Sequence, residues 1–459
     1  MARFLITTWH LAGHLYPQIS VAHGLRARGH DVAFYTGRRV QPLLEAEGFT
    51  VFPFRRIADD EVDRLVQFME SRPVGWQAPL LFQRVIRRWW VDTMPAQVED
   101  LREVVGAWRP AALASDPCLW APFLILRELP ETAHVPVAIS SFLIGCLIPG
   151  RDAPPWGPGL PPPRTWRTRL LAQAIAAATG ALAIGVRRRV NQIRATFGLP
   201  PLRGSVAAYT AELPLYLVPS LPILDYERRD LPPSVRYVGP CVWNRPRQEA
   251  PPAWLDTLPA DRPVVHVTEG TAHYQDPFVL RAAAQGLAHR PIHAILTTGP
   301  NRDPATLDLG PRAPNIQVEQ WVSHSDLLPR CAALVTTGGA GTIMAALQAG
   351  VPLVIVPTHW DKPDNAQRVV AAGAGLRLSP RQCTAQRLRD AVERVLHEPR
   401  FRARAQELAR ALAAAPGADG RGGAAELLEA LARAPLPTLA ATATTAPAGA
   451  RPILERAQT

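Results

Sequence analysis

The chain has 459 residues, 47% of them hydrophobic and 19% charged, which is more than one hydrophobic core accommodates and predicts two domains with a cleft between them. Its net charge of +11 is spread along the sequence, with one run of three arginines at Arg187, Arg188 and Arg189; no clustered basic stripe with a recognisable motif argues for nucleic-acid binding. Five cysteines, odd in number and without a Cys-x-x-Cys pair, exclude a disulfide framework and a zinc site and fit a reducing cytoplasm.

Taken in chain order, Phe4 to Thr8 reads as a first strand, too soon interrupted by His10 and Gly13 for a signal peptide. A helical stretch from Ile19 to Arg28 and a strand from Asp31 to Thr36 follow. Strand, helix, strand predicts parallel strands joined by a right-handed crossover. Apolar runs at Ala111 to Ala114 and Val135 to Ser140 extend that sheet. Between them and the early strands lies an aromatic-rich insertion with Trp76, Phe82 and Trp89. It reads either as the lining of an apolar pocket or, because Leu81, Val85 and Trp89 recur at helical spacing, as core.

After a proline-dense loop at 154–163 comes the Ala-rich stretch Leu170 to Val186, flanked by Arg167, Arg169 and Arg187 to Arg189. It is short of the usual spanning length of about 20 apolar residues, so it predicts a buried or interfacial helix, with peripheral docking on a lipid surface as the alternative. Val235 to Pro240 reads as the last strand of the first domain, residues 1–243, and 244–260 as a linker. A second alternating series over 261–433 makes two halves of one α/β class. Residues 434–459, rich in Pro, Ala and Thr without periodicity, read as a disordered tail.

In the second half, a strand from Ala332 runs into the turn Gly338-Gly-Ala-Gly-Thr and then a helix. Glycines let a ligand approach the backbone, and the unpaired N–H groups of a first helical turn favour a phosphate. The three-glycine dinucleotide fingerprint and the Walker lysine are both absent, which weighs against NAD enzymes and P-loop ATPases. A second buried strand ends in the polar loop His359-Trp-Asp-Lys-Pro-Asp-Asn, so two strand ends face one ligand.

Together with Gly13-His-Leu-Tyr-Pro, Tyr237-Val-Gly-Pro and Gln320-Trp-Val, this block resembles the inverting glycosyltransferases of the GT-B fold, the branch with macrolide glycosyltransferases, plant glucosyltransferases and glucuronosyltransferases. The resemblance implies two Rossmann-like domains with parallel sheets facing an interdomain cleft. The first would hold the acceptor and the second a nucleotide-sugar donor. Position by position, Gly270 and Thr271 match a phosphate-side loop, Trp321 and Val322 the base-contacting segment, and Gly338, Gly339, Gly341 and Thr342 the diphosphate loop. Asp361 and its neighbour match the pair that grips sugar hydroxyls, with Asn365 just beyond. The alternative for Trp321 is simple core. His14 matches the general base, as suits a side chain with near-neutral pKa, and Asp116 its orienting carboxylate; the alternative is a helix cap and a turn residue. His10 is a weaker rival for the base.

Three positions depart from the family pattern. Thr337 stands where histidine is usual, Ala345 where glutamate is common, and Lys362 where glutamine is usual. Lys362 is the one lysine in a chain whose other basic side chains are arginine, and we expect its compact ammonium to replace the charge lost at Thr337, reaching a phosphate or an acidic sugar. No Asp-x-Asp motif is present, so no metal and no cofactor beyond the nucleotide sugar is expected, with helix N–H groups stabilising the leaving group. The reading is transfer of a hexose or deoxyhexose, with inversion, to a hydroxyl of a lipophilic small molecule. The alternatives are a catalytically silent sugar-nucleotide-binding protein and a lipid-acceptor enzyme at a membrane surface. Oligomeric state is left open.

Overall fold

The computed structural model describes residues 1–72, 79–244, 250–300, 302–417 and 423–434. The first sheet has seven strands, β1 (Arg3–Thr7), β2 (Asp31–Thr36), β3 (Thr50–Pro53), β4 (Ala112–Ser115), β5 (Val137–Ser140), β6 (Tyr216–Val218) and β7 (Val235–Tyr237), in the order β3-β2-β1-β4-β5-β6-β7. The second has six, β8 (Val264–Thr268), β9 (His293–Thr297), β10 (Ile316–Glu319), β11 (Ala333–Thr336), β12 (Leu353–Ile355) and β13 (Gly375–Arg377), in the order β10-β9-β8-β11-β12-β13. Every neighbouring pair is parallel. Alternate residues feed opposite faces, as a strand buried on both sides requires. Leu5, Tyr35 and Leu113 enter one core of the first sheet and Phe4, Phe34 and Ala112 the other. Val265 and Val335 divide from Val264 and Leu334 in the same way in the second.

Seven helices build or border the cleft and its outer surfaces: α1 (Ala12–Ala27), α2 (Asp59–Glu70), α3 (Pro79–Ile86), α4 (Trp166–Thr196), α5 (Ala340–Gln348), α6 (Lys362–Ala371) and α7 (Gly423–Arg433). Helix α1 begins seven residues before the stretch the sequence predicts and runs through Pro17. Its bonds from the His14 and Leu15 N–H groups to the Leu11 carbonyl put His14 in the first turn. A π-helical turn, Arg87–Val91, continues α3.

Of the two readings, buried or interfacial, helix α4 departs from the buried one. By length and composition it is apolar enough to cross a membrane, and from Leu170 to Val186 only Ala172 is buried. Helix α7, within the span the sequence gives to the second unit, lies on the first. Ala424, Ala425, Leu428 and Leu431 join the core that contains Phe4 and Phe34. Arg28 and His30 pair with Glu429 at 2.6 and 2.5 Å and hold its carboxyl down to about 2. The returning chain passes beside the outgoing one, for a Cβ at Gly423 would stand 3.1 Å from the Val238 carbonyl oxygen.

The two units are clasped across the cleft. Arg368 on α6 pairs with buried Asp225 at 2.9 Å. Burial pushes Asp225 up, but Arg368, the Cys146 N–H and the Tyr237 hydroxyl hold it below the usual carboxylate range. The N–H groups of Gly157 and Gly159 donate to Asp364, and the Gln275 N–H donates to the Glu70 carbonyl at the end of α2.

Candidate active site

Each sheet has one place where the strand order reverses, β1 beside β4 and β8 beside β11, and ligands of open α/β sheets collect at the carboxyl ends there. Thr7 pairs with Ser115, so the residues after β1 and β4 emerge together. His14 comes from one of these segments and Asp116 from the other. The His14 Nδ1 lies 2.7 Å from Asp116 Oδ2. Asp116 is fully buried; its Oδ1 accepts the Cys118 N–H at 2.7 Å and its Oδ2 the Thr8 hydroxyl at 3.2 Å. An ionised carboxylate held by these donors fixes the neutral imidazole proton on Nδ1 and leaves Nε2 with a lone pair. The side-chain bond that His14 makes is to Asp116 and not to the end of α1, whose capping position is held by Leu11. His10 points elsewhere, its Nε2 3.0 Å from Asp63 on α2.

The Cys118 thiol also stands near this pair, and the ligand atoms of His14, Asp116 and Cys118 lie within 4.8 Å of one another. Burial, then Asp116 and Asp361, push the thiol well up, and the position a cation would take between His14 and Asp116 is that of their shared proton. The donor set therefore fits a hydrogen-bonded dyad better than a metal centre.

The second reversal is built mainly from backbone. Thr268 pairs with Thr336, and the Thr337 hydroxyl donates to the Glu269 carbonyl at 2.8 Å, tying the two outgoing loops together. Gly338 adopts φ +97°, and a Cβ there would stand 3.0 Å from Ile355 Cγ2. Helix α5 starts after Gly339, so the N–H groups of its first turn, Gly341 and Thr342 among them, lack helical partners. At Gly341, and at Gly270 with φ +74°, an added Cβ meets nothing within 4 Å. Space for a ligand is left at both, while Thr271 is exposed beside Gly270. Trp321 follows β10 at the same sheet end and is 54% exposed, so it is not core; Val322 beside it is.

Lys362 closes the floor. Its ammonium donates to the Ala272 carbonyl and to the hydroxyls of Thr337 and Thr358 at 3.2 and 3.1 Å. Three acceptors engage its three protons, so Lys362 clamps three loops; the contact expected from sequence was with a phosphate or an acidic sugar, and the bonds the ammonium makes here are to the protein. Burial lowers its pKa to about 8 against the pull of Asp361, Glu70 and Glu269. The Asn365 amide donates to the Gly338 carbonyl at 3.1 Å and to Asp361 at 2.7 Å. Burial raises Asp361, and the Asn365 bond, Lys362 and His14 partly offset it. That last influence brings the two walls within electrostatic reach of each other.

Aromatic rings line the first wall. Phe142, just past β5, has its ring centroid 3.9 Å from that of His14. Phe82 on α3 is half-buried, 5.2 Å from Trp360 and 6.2 Å from Trp156. Trp89 is 2% exposed, packed on Trp9 at 5.5 Å as well as Trp360 at 5.9 Å, so it is core that also backs the pocket. Trp76 lies outside the described residues. Phe142, Trp156 and Trp360 were not singled out from sequence. The signal for Phe142 was its place after a strand adjacent to β4, and Trp360 lies inside the polar loop that follows β12.

Residues 294–426 match the family model described as erythromycin biosynthesis protein CIII-like, C-terminal domain. The chain is 33% identical over 410 residues to the 4'-demethylrebeccamycin synthase of Lentzea aerocolonigenes, spanning 89% of this chain and 94% of that one. It is 26% identical over 406 residues to the demethyllactenocin mycarosyltransferase of Streptomyces fradiae, spanning 85% and 78% respectively. Among solved structures, the glycotransferase of kitacinnamycin superposes with a TM-score of 0.70 at 21% identity over 94% of this chain and 99% of its own, the GT-B architecture of two facing parallel sheets.

Proposed function

Since the chain belongs to the natural-product glycosyltransferases and is a sugar-transferring enzyme that acts on sugar nucleotides, we propose that it moves a hexose or deoxyhexose to a hydroxyl of a lipophilic small molecule by a single inverting displacement without a metal. The observation that carries this reading is His14, with Nδ1 bound to fully buried Asp116 and no protein partner for Nε2 among the described residues.

The acceptor hydroxyl gives its proton to His14 Nε2 as its oxygen forms a bond to the anomeric carbon. The bond from that carbon to the diphosphate breaks on the opposite face, and the leaving electron pair stays with the diphosphate. Asp116 stabilises the imidazolium that results. The N–H groups of Gly341 and Thr342 meet the charge that grows on the leaving group. The exposed indole of Trp321 offers a stacking face to the base, and Asp361, steadied by Asn365, accepts from sugar hydroxyls. Phe142, Phe82 and Trp360 give the acceptor an apolar berth. Five free cysteines accord with a reducing cytoplasm.

The test is release of nucleoside diphosphate from uridine and thymidine diphosphate sugars with a panel of aromatic and polyketide acceptors, with and without EDTA. His14→Ala is expected to lose about 10²- to 10⁴-fold in kcat while still binding nucleoside diphosphate, and EDTA to change nothing. Equal release by both proteins, loss of activity in EDTA, or a product that keeps the donor's anomeric configuration would each overturn the proposal.

A further inference from the structure

The outer face of helix α4 has no protein partner among the described residues. The helix spans about 46 Å at the usual rise per residue, and from Leu170 to Val186 it carries no charged side chain. Ala172 and Val190 are buried, and half-buried Ile175, Leu182 and Val186 lie on the same side, which seats the helix lengthwise against the first unit. The opposite side turns apolar groups to solvent, Leu170 60% and Ile184 49% exposed, while Leu171, at the edge of the seated side, is 53% exposed. Trp166, 70% exposed, stands at the N-terminal end with the Arg167 guanidinium 5.3 Å from the centre of its ring.

The charge around this face is one-sided. Between residues 153 and 211 there are eight arginines and no aspartate or glutamate. Arg189 is paired with Asp92 and Arg194 with Glu128. Arg164, Arg167 and Arg169 at one end, and Arg187 and Arg188 at the other, have no carboxylate partner among the described residues. An apolar strip with arginines at both ends matches the layering of a bilayer surface, acyl chains below and anionic headgroups around. A second copy of the helix would meet it with the same unpaired cations and nothing to neutralise them. Spanning is excluded by the anchoring of the last turns, where Val190, Ile193 and Arg194 are embedded in the first unit.

We propose that α4 docks the enzyme on an anionic phospholipid surface, lying in the plane of the headgroups with its outer face among the acyl chains. Helix α3, whose Leu80 is also exposed and whose Phe82 lines the aromatic wall, packs beside it. Docking therefore brings the acceptor side of the cleft to the membrane, where an apolar acceptor accumulates.

The experiment is flotation of the full chain with vesicles of phosphatidylglycerol and phosphatidylcholine, against phosphatidylcholine alone, at low and high salt. Binding is expected to the anionic vesicles and to weaken with salt. Arg187→Glu with Arg188→Glu, and separately Leu170→Glu with Ile184→Glu, should each lower partitioning about tenfold or more, with turnover of a water-soluble acceptor unchanged. No flotation, equal flotation with both vesicle types, or indifference to both pairs of substitutions would overturn the proposal. So would a dimer in sedimentation that the Leu170→Glu, Ile184→Glu pair dissolves while the parent chain ignores vesicles.

Discussion

On the first wall of the cleft the atoms proposed to react belong to side chains, with His14 aimed by Asp116 and Asp116 fixed by Thr8 and the Cys118 N–H. On the second they belong largely to backbone, the turn at Gly338 and the first turn of α5, with Lys362 and Asn365 holding the loops in place. Both walls grow from the same topological feature, a reversal of strand order. A side chain supplies a pKa and a proton, whereas a backbone cradle supplies fixed dipoles that suit any nucleoside diphosphate. Proton transfer should therefore fail sharply when one side chain changes, and donor binding should weaken by degrees.

The largest effect that sharpens this contrast is expected from Asp116→Asn, which leaves the shape but removes the charge that fixes the His14 tautomer. A fall in kcat of about 10²-fold or more, with donor KM nearly unchanged, is expected in steady-state kinetics; a change confined to KM would place Asp116 in binding. Next is Lys362→Met, which leaves the Ala272 carbonyl and two threonine hydroxyls without their donor. Donor KM should rise about tenfold or more. In the parent enzyme donor affinity should decline as pH passes about 8, where the ammonium deprotonates, and that decline should vanish in the variant.

Trp321→Ala is expected to cost about 1–3 kcal/mol of donor binding through lost stacking on the base, with the melting temperature unmoved because the ring is exposed. Calorimetry with uridine and thymidine diphosphates reads it directly. The smallest effect concerns neither wall. Glu429 titrates at about 2 in the fold, below the ~4.3 of an unfolded chain, so its stabilising pairing with Arg28 and His30 is complete above that ordinary value and is lost as pH falls toward about 2. Glu429→Gln should flatten the acid limb of a melting-temperature profile by a small amount.

Much of the architecture was legible because strands buried on both faces are apolar runs of four to six residues. The expected span at Asp31 to Thr36 coincides with β2. Strands β3, β6, β10 and β13 went unread, being three or four residues long and, in β10, carrying Gln317 and Glu319. Pro17 concealed the start of α1, since proline inside a helix ordinarily argues for a boundary. In the site, the glycine turn and the His14 and Asp116 pairing were within reach of sequence. The bonds that saturate Lys362 were not, because Ala272, Thr337 and Thr358 meet it only in three dimensions. Trp360 was hidden by a positive φ of 60° that turns it against Phe82 and Trp89.

The return of α7 to the first unit means that the polypeptide bridges the cleft twice, by neighbouring segments near Val238 and Pro416. Two adjacent tethers act as a strap and favour rotation about their common line over sliding of one unit past the other. They also set the rules for recombining this enzyme with its relatives. A single breakpoint between the units would bring a foreign last helix against Arg28 and His30, whereas paired breakpoints, one before β8 and one near Gly417, exchange the second unit and leave 423–434 with the half it packs on.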